Sequence, residues 1–300
     1  MKNINKALKI SIALIGLSLI ITLLVLSKLK LDKPVFLKNY KEVELMENEE
    51  VYSISGFDIE LKYIANIKDK RKVSSVTFKE APELNFYASE NNSMGLMSSY
   101  DYSNDNIESH GRYGVHTVFL SLNSQKYDYE FDKELELSEA TVTFDDGLTM
   151  EVDLGKVILY KYDMDKYDYD KKILKWHSVQ SSNDGISKVG FLVNDYIRIS
   201  NVYSPLFEDT KDLFDFNIDK LGSMDKKELI YNKNENLYFT SKFYNIDDIE
   251  RKLYSYNIKP VIYFKDGSGN DHEQRINNLT YKPYFSFSDI YKYLKVKGKI

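Results

Sequence analysis

The run from Ile10 to Ser27 constrains this chain more than any other segment. Its 18 residues carry no charge, and 12 of them are Leu, Ile or Val. As a helix it is about 27 Å long, close to the hydrocarbon thickness of a bilayer. At −0.3 to −0.6 kcal/mol for each Leu, Ile or Val, the run contributes about −4 to −7 kcal/mol to membrane insertion. The expectation is a transmembrane helix over 10–27, behind a short cytoplasmic tail over 1–9 and followed by a juxtamembrane linker over 28–50. The bilayer is thus the first expected partner, through residues 10–27. A cleaved signal peptide is the competing reading, with Val25-Leu26-Ser27 as its cleavage site. Signal-peptide apolar cores are usually 7–15 residues long, so the retained anchor is preferred.

Two charge signals bear on orientation and they disagree. Lys2, Lys6 and Lys9 precede the run, while Lys28, Lys30, Lys33, Lys38 and Lys41 follow it. A positive-inside count puts the C-terminal side in the cytoplasm. A short basic N-terminal segment is instead the part that stays cytoplasmic in secretory signals. Together with the β-rich body described below, it argues for an N-terminus inside and a body outside the cell membrane.

Residues 1–41 hold eight lysines against one acid, Asp32; with −5 over the whole chain, the remainder carries −12. An acidic body of this kind repels nucleic acid, which is excluded as a partner. The chain has no cysteine. That removes thiolate catalysis, Cys-ligated zinc, iron–sulfur clusters, disulfides and lipoprotein acylation together.

Beyond the linker the pattern is that of strands. The 25 tyrosines suit half-buried strand positions, with the ring inside and the hydroxyl outside. Phe57, Ile59, Leu61 and Tyr63 alternate with polar neighbours, as do Val118, Leu120 and Leu122. The clearest hairpin is Ala140–Phe144, Asp145-Asp146-Gly147, then Leu148–Val152, because Asp-Gly between two alternating runs marks a tight turn. The charged stretch 163–172 marks a boundary, after which a second series of strands runs to about 281. A short helix is expected near 246–254, and a C-terminal helix capped by Ser288, with Ile290, Tyr293 and Leu294 on one face. Ala140–Gly147 and Pro260–Gly267 echo each other at an offset of 120 residues. The expected fold is mainly β: the N-terminal transmembrane helix followed by two tandem antiparallel β-sandwich (immunoglobulin-like) domains, 51–162 and 163–300.

No catalytic signature accompanies this body. His110, His116, His177 and His272 show no zinc-binding spacing. Asp163, Asp165, Asp168 and Asp170 resemble a calcium loop only in composition, since Asp168 stands where the EF-hand requires Gly and Leu174 where it requires Glu. Asp266–Asp271 reads as a Gly-rich hairpin loop. There is no GxSxG, Walker or dinucleotide-binding pattern. Accordingly no catalytic residue, cofactor or metal site is assigned. The long polar stretch 89–114 offers a candidate binding loop through Tyr100, Tyr102, Asn104, His110 and Arg112, a mix of rigid aromatic area and adaptable hydrogen-bonding groups. The function these features suggest is a non-enzymatic, membrane-anchored binding or interaction protein, with another membrane protein or the cell wall as partner. The alternative is a wall-acting hydrolase using two carboxylates in an inter-domain cleft.

Overall fold

The computed structural model describes residues 2–47, 51–84, 86–90, 107–125, 134–161, 172–181, 186–219, 229–277 and 279–300. The acidic cluster at 163–170 and Tyr100, Tyr102 and Asn104 lie outside them. The chain is mainly β, with many strands in three sheets.

Helix α1 runs from Lys2 to Lys28. Within its apolar run, side chains are described from Ile10 to Leu24, a stretch shorter than the roughly 18 residues a span takes. Among the described residues no helix is long and apolar enough to cross a membrane. Ile10, Ile12, Leu14, Ile15, Leu17, Leu19, Ile20, Ile21, Leu23 and Leu24 are all exposed, so the apolar surface is bare on every side of the helix.

Nine strands build the first unit: β1 (Val35–Phe36), β2 (Asn39–Glu47), β3 (Val51–Asn66), β4 (Val73–Phe78), β5 (Phe86–Ser89), β6 (Ile107–His110), β7 (Tyr113–Gln125), β8 (Glu134–Phe144) and β9 (Thr149–Lys161). The pairings β2–β3, β3–β7, β7–β5, β5–β4, β4–β8, β8–β9 and β9–β2 return to their starting strand, so the hydrogen-bonded path closes on itself. Closure leaves fewer bare strand edges. Period-two burial fills the interior with Val43, Leu45, Ile59, Leu61, Tyr63, Phe78, Leu120, Val142, Phe144 and Leu159. The 28–50 segment, expected as a linker, therefore supplies β1 and β2 and buries Leu37, Val43 and Leu45. The acidic stretch 42–50, whose sequence allows either a short linker or an edge strand, begins inside β2, and Glu42 is itself buried.

The second unit contains β10 (Leu174–Ser181), β11 (Ile186–Val193), β12 (Ile197–Tyr203), a helical turn α2 (Phe207–Thr210), β13 (Phe214–Ile218), β14 (Leu229–Tyr231) and β15 (Asn236–Phe243). It continues with α3 (Ile249–Lys252), β16 (Ser255–Ile258), β17 (Val261–Asp266), β18 (Asp271–Arg275), β19 (Leu279–Tyr281) and α4 (Phe287–Val296). Two four-stranded sheets, β10-β11-β15-β13 and β14-β12-β17-β18, share one core that includes Phe191, Phe216, Phe239, Ile199, Ile262 and Phe264. β16 departs from a self-contained tandem domain. It pairs in parallel with β2 through Ser255↔Asn39 to Asn257↔Lys41, and antiparallel with β19. The two units thus share a sheet, and Ile64, Tyr113, Val115 and Ile158 of the first unit belong to the core of the second.

Helix α4 is capped by Ser286, whose hydroxyl accepts from the Asp289 N–H at 3.1 Å, so Ser288 lies inside the helix rather than at its cap. Ile290, Tyr293 and Leu294 are buried. Replacing Ser286 with alanine is expected to cost about 1 kcal/mol of stability, measured by urea denaturation.

Candidate ligand-binding cleft

The strand β10 lies at the edge of its sheet, and its face is set by a bulge. The register pairs Trp176 with Phe191 and Val179 with Val189, with an irregularity between Trp176 and Ser178. Directly paired residues share a face, so Trp176, Val179, Val189 and Phe191 stand on one side of the sheet, and the extra residue His177 keeps Trp176 and Val179 in phase. Phe191 and Val189 continue from this surface into the core. Trp176 and Val179 do not: Trp176, the only tryptophan of the chain, is 57% exposed.

Across from this apolar wall stand Asn257 of β16, Lys259, Gln274 and Arg275 of β18, Asn277, and Thr280 of β19. The space between them is a cleft of about 610 Å³. That is the size range of small-ligand sites, which combine an apolar lining with a few placed polar groups. Among the described residues, no Asp or Glu lines it.

Each polar group has a physical anchor. The Arg275 guanidinium lies 3.5 Å over the Tyr160 ring of β9. It donates to the Lys259 carbonyl at 3.3 Å and sits 3.5 Å from Glu134 of β8. The first unit therefore fixes a cleft residue of the second. Lys259 makes no ion pair among the described residues; its ammonium is 5.9 Å from the Tyr160 ring centroid. Thr280 donates to Asn257 Oδ1 at 3.3 Å. Gln274 is 6% exposed and donates through Nε2 to the Arg275 carbonyl at 3.1 Å. Its Oε1 is buried with no partner among the described residues. A buried acceptor without a donor costs about 1–3 kcal/mol, a penalty that a ligand hydroxyl or N–H in this position relieves.

A smaller space of about 140 Å³ adjoins this cleft and shares Asn257 and Thr280 with it; Lys41, Lys62, Lys282 and Glu60 are also in its wall. Burial pushes the Glu60 carboxyl up, but the Lys62 ammonium 2.9 Å away, with Lys41 and Lys282, holds it below its ordinary value. The two spaces together form a cationic strip on a body of net negative charge.

The candidate loop residues lie elsewhere. His110 ends β6 and Arg112 lies in the tight turn to β7, where Gly111 takes a φ of +67°. Both are half-buried, and neither lines either cleft. His110 faces Phe285, with ring centroids 6.3 Å apart. His110 pairs with Tyr113, and Ile107 with His116. Tyr113 and His116 are an odd number of residues apart, so the two histidines fall on opposite faces and share no site.

His116 instead stacks on Tyr63 at 4.5 Å and lies 3.1 Å from its hydroxyl. Tyr63 donates to Glu90 at 2.8 Å, and Glu90 also accepts from the Val73 N–H. Burial first, then the Glu90 charge, pushes the Tyr63 hydroxyl far above its ordinary value, so it remains a donor. All three side chains are buried and none lines a described cleft, so this is a structural network. The Asp266–Asp271 segment is the turn between β17 and β18. Asp266 accepts from Asn270 Nδ2, from the Ser268 and Asn270 N–H groups, and from His272 Nε2 at 3.0 Å. Those donors, Asn270 foremost, hold its carboxyl far below its ordinary value.

Trp176, Asn257, Lys259, Gln274 and Arg275 escaped the sequence reading because they lie in ordinary strand runs. The available signal was a lone tryptophan flanked by Lys175, His177 and Ser178, a polar setting for the largest apolar side chain.

No family model matches the chain, and no curated protein matches it. Among solved structures, a Porphyromonas gingivalis protein of unknown function aligns at 10% identity and a TM-score of 0.24, covering 79% of this chain and 95% of that one. The Yersinia pseudotuberculosis adhesin InvE aligns at 10% identity and a TM-score of 0.20, covering 81% and 58%. A Pseudomonas aeruginosa CupB2 chaperone aligns at 6% identity and a TM-score of 0.17, covering 79% and 98%. Similarities this distant carry no argument about function.

Proposed function

We propose that this chain is a single-pass membrane-anchored binding protein, with its β body outside the membrane and the cleft beside Trp176 as its recognition site. The observation that carries the binding reading is the cleft itself, an aromatic wall facing amides and cations, with a buried acceptor left open. The anchor rests on the charge-free run Ile10–Ser27 and on apolar side chains that are bare on every side from Ile10 to Leu24. A partner helix covers one stripe of such a surface, whereas lipid covers all of it. The two four-stranded sheets around a common core are the sandwich element of this reading. Hydrolysis by paired carboxylates has less support: among the described residues no carboxylate lines the larger cleft, and Glu60 is the one that lines the smaller.

The test is retention of the full chain, purified in mild detergent, on isolated cell-wall material and on detergent-solubilised membrane proteins. Unaltered protein is expected to be retained, and Trp176→Ala to bind at least tenfold more weakly, as for the truncation of a central aromatic contact. Retention that ignores this substitution, or no retention on either material, contradicts the proposal.

A further inference from the structure

We infer that the cleft takes an acidic saccharide, a sugar chain carrying carboxylate or phosphate groups. This deepens the binding reading above and rests on it. Three features of the cleft each select part of that chemistry.

The first is the wall of Trp176 and Val179, both exposed although they share a face with the buried Phe191 and Val189. An exposed indole on an edge strand offers a broad aromatic surface for an apolar ring face. The C–H face of a pyranose is such a surface, and its rim of hydroxyls reaches the opposite wall. The second is that wall, where Asn257, Asn277, Gln274 and Thr280 present amide and hydroxyl groups. The buried Oε1 of Gln274, without a partner among the described residues, needs a donor, which a sugar hydroxyl or acetamido N–H supplies and an aliphatic ligand does not.

The third feature is charge. Lys259 and Arg275 line the cleft and, among the described residues, no Asp or Glu does; the adjoining space adds Lys41, bonded to the Glu60 carbonyl, and Lys62 and Lys282, both ion-paired with Glu60. Arg275 is oriented by Tyr160 and partly balanced by Glu134. Lys259 has no ion pair among the described residues, so its charge is available to an anionic substituent. On a body that carries −12 outside its first 41 residues, this strip also draws anions toward the cleft rather than to the rest of the surface.

Because Trp176 is the only tryptophan, intrinsic fluorescence of the full chain in detergent micelles reads the cleft directly. The probes are trigalacturonate, phosphorylated maltotriose, unmodified maltotriose and an acidic hexapeptide. Saturable change is expected with trigalacturonate, phosphorylated maltotriose or both. The difference between those two identifies carboxylate or phosphate as the preferred group. Maltotriose is expected to bind at least tenfold more weakly, with the acidic sugar losing affinity as salt rises. Lys259→Ala is expected to weaken the acidic sugar about tenfold and to reduce its preference over maltotriose. Gln274→Leu, which keeps the buried volume and removes the acceptor, is expected to weaken both.

Equal binding of charged and neutral sugars overturns the acidic class, and a preference for the hexapeptide overturns the saccharide. If no probe changes the fluorescence while wall retention still depends on Trp176, the saccharide inference fails and the binding reading stands. If retention fails as well, both fall.

Discussion

Alanine in place of Gly155 is expected to lower the stability of the body by about 2–5 kcal/mol. Gly155 adopts a φ of +89°, a left-handed conformation that costs an L-residue about 1–2 kcal/mol. A Cβ added there falls 2.4 Å from the Asn39 carbonyl oxygen and 2.9 Å from the Asn39 nitrogen. Both are backbone atoms, so no side chain can swing aside, and overpacking of this kind adds about 1–3 kcal/mol. The site cannot easily move, because Asn39 pairs with Gly155 on one side and with Ser255 on the other. The same contact therefore holds β9 to β2 and β2 to β16. Urea denaturation of the full chain in mild detergent, followed by far-ultraviolet circular dichroism, should show a lower midpoint. A loss under about 1 kcal/mol contradicts this account of the junction.

The second large effect depends on pH. Glu42 of β2 is 1% exposed and accepts from the Ser204 hydroxyl at 2.8 Å and from the Lys259 N–H. Burial pushes its carboxyl up from 4.5 to about 7; the two donors and the Arg275 charge pull the other way without prevailing. A carboxyl whose pKa is raised by folding binds its proton more tightly in the folded state. Its contribution is thus fully present below about pH 4.5 and is lost as pH rises through about 7. That interval corresponds to about 3 kcal/mol. Glu42→Gln removes the titration. The stability of the variant relative to the unaltered protein is expected to rise by about 3 kcal/mol between pH 4.5 and 7 and to level off above. Comparing the two proteins cancels the opposite trend of carboxyls such as Asp266, which donors hold down. Parallel curves, or an unaltered protein that gains on the variant as pH rises, contradict the assignment.

What the sequence made legible was local. The Asp145-Asp146-Gly147 turn joins β8 to β9 because the signal and the structure it specifies lie within a dozen residues. Ile59, Leu61 and Tyr63 alternate into the core as strand periodicity requires. The pairings that set the architecture are long-range. Glu42 meets Ser204 across 162 positions and Lys259 across 217, and no pattern within β2 announces either partner. With its partners unseen, the acidic segment that begins at Glu42 reads as a short linker or an edge strand. The cleft was hidden for the same reason. Trp176, Gln274 and Arg275 come from separate strands and become a site only when the edges of β10 and β18 face one another. The loop over 89–114 attracted attention through its polarity, yet His110 and Arg112 line neither described cleft.

The most direct test of the central claim is protease accessibility of the full chain in intact cells, read with antibodies to each end after membrane isolation. An anchored protein with its body outside is expected to lose the C-terminal epitope to added protease before lysis. A short N-terminal fragment should then sediment with membranes and resist an alkaline wash. A body that stays protected until the cells are broken, or that is recovered free of the membrane, contradicts the account.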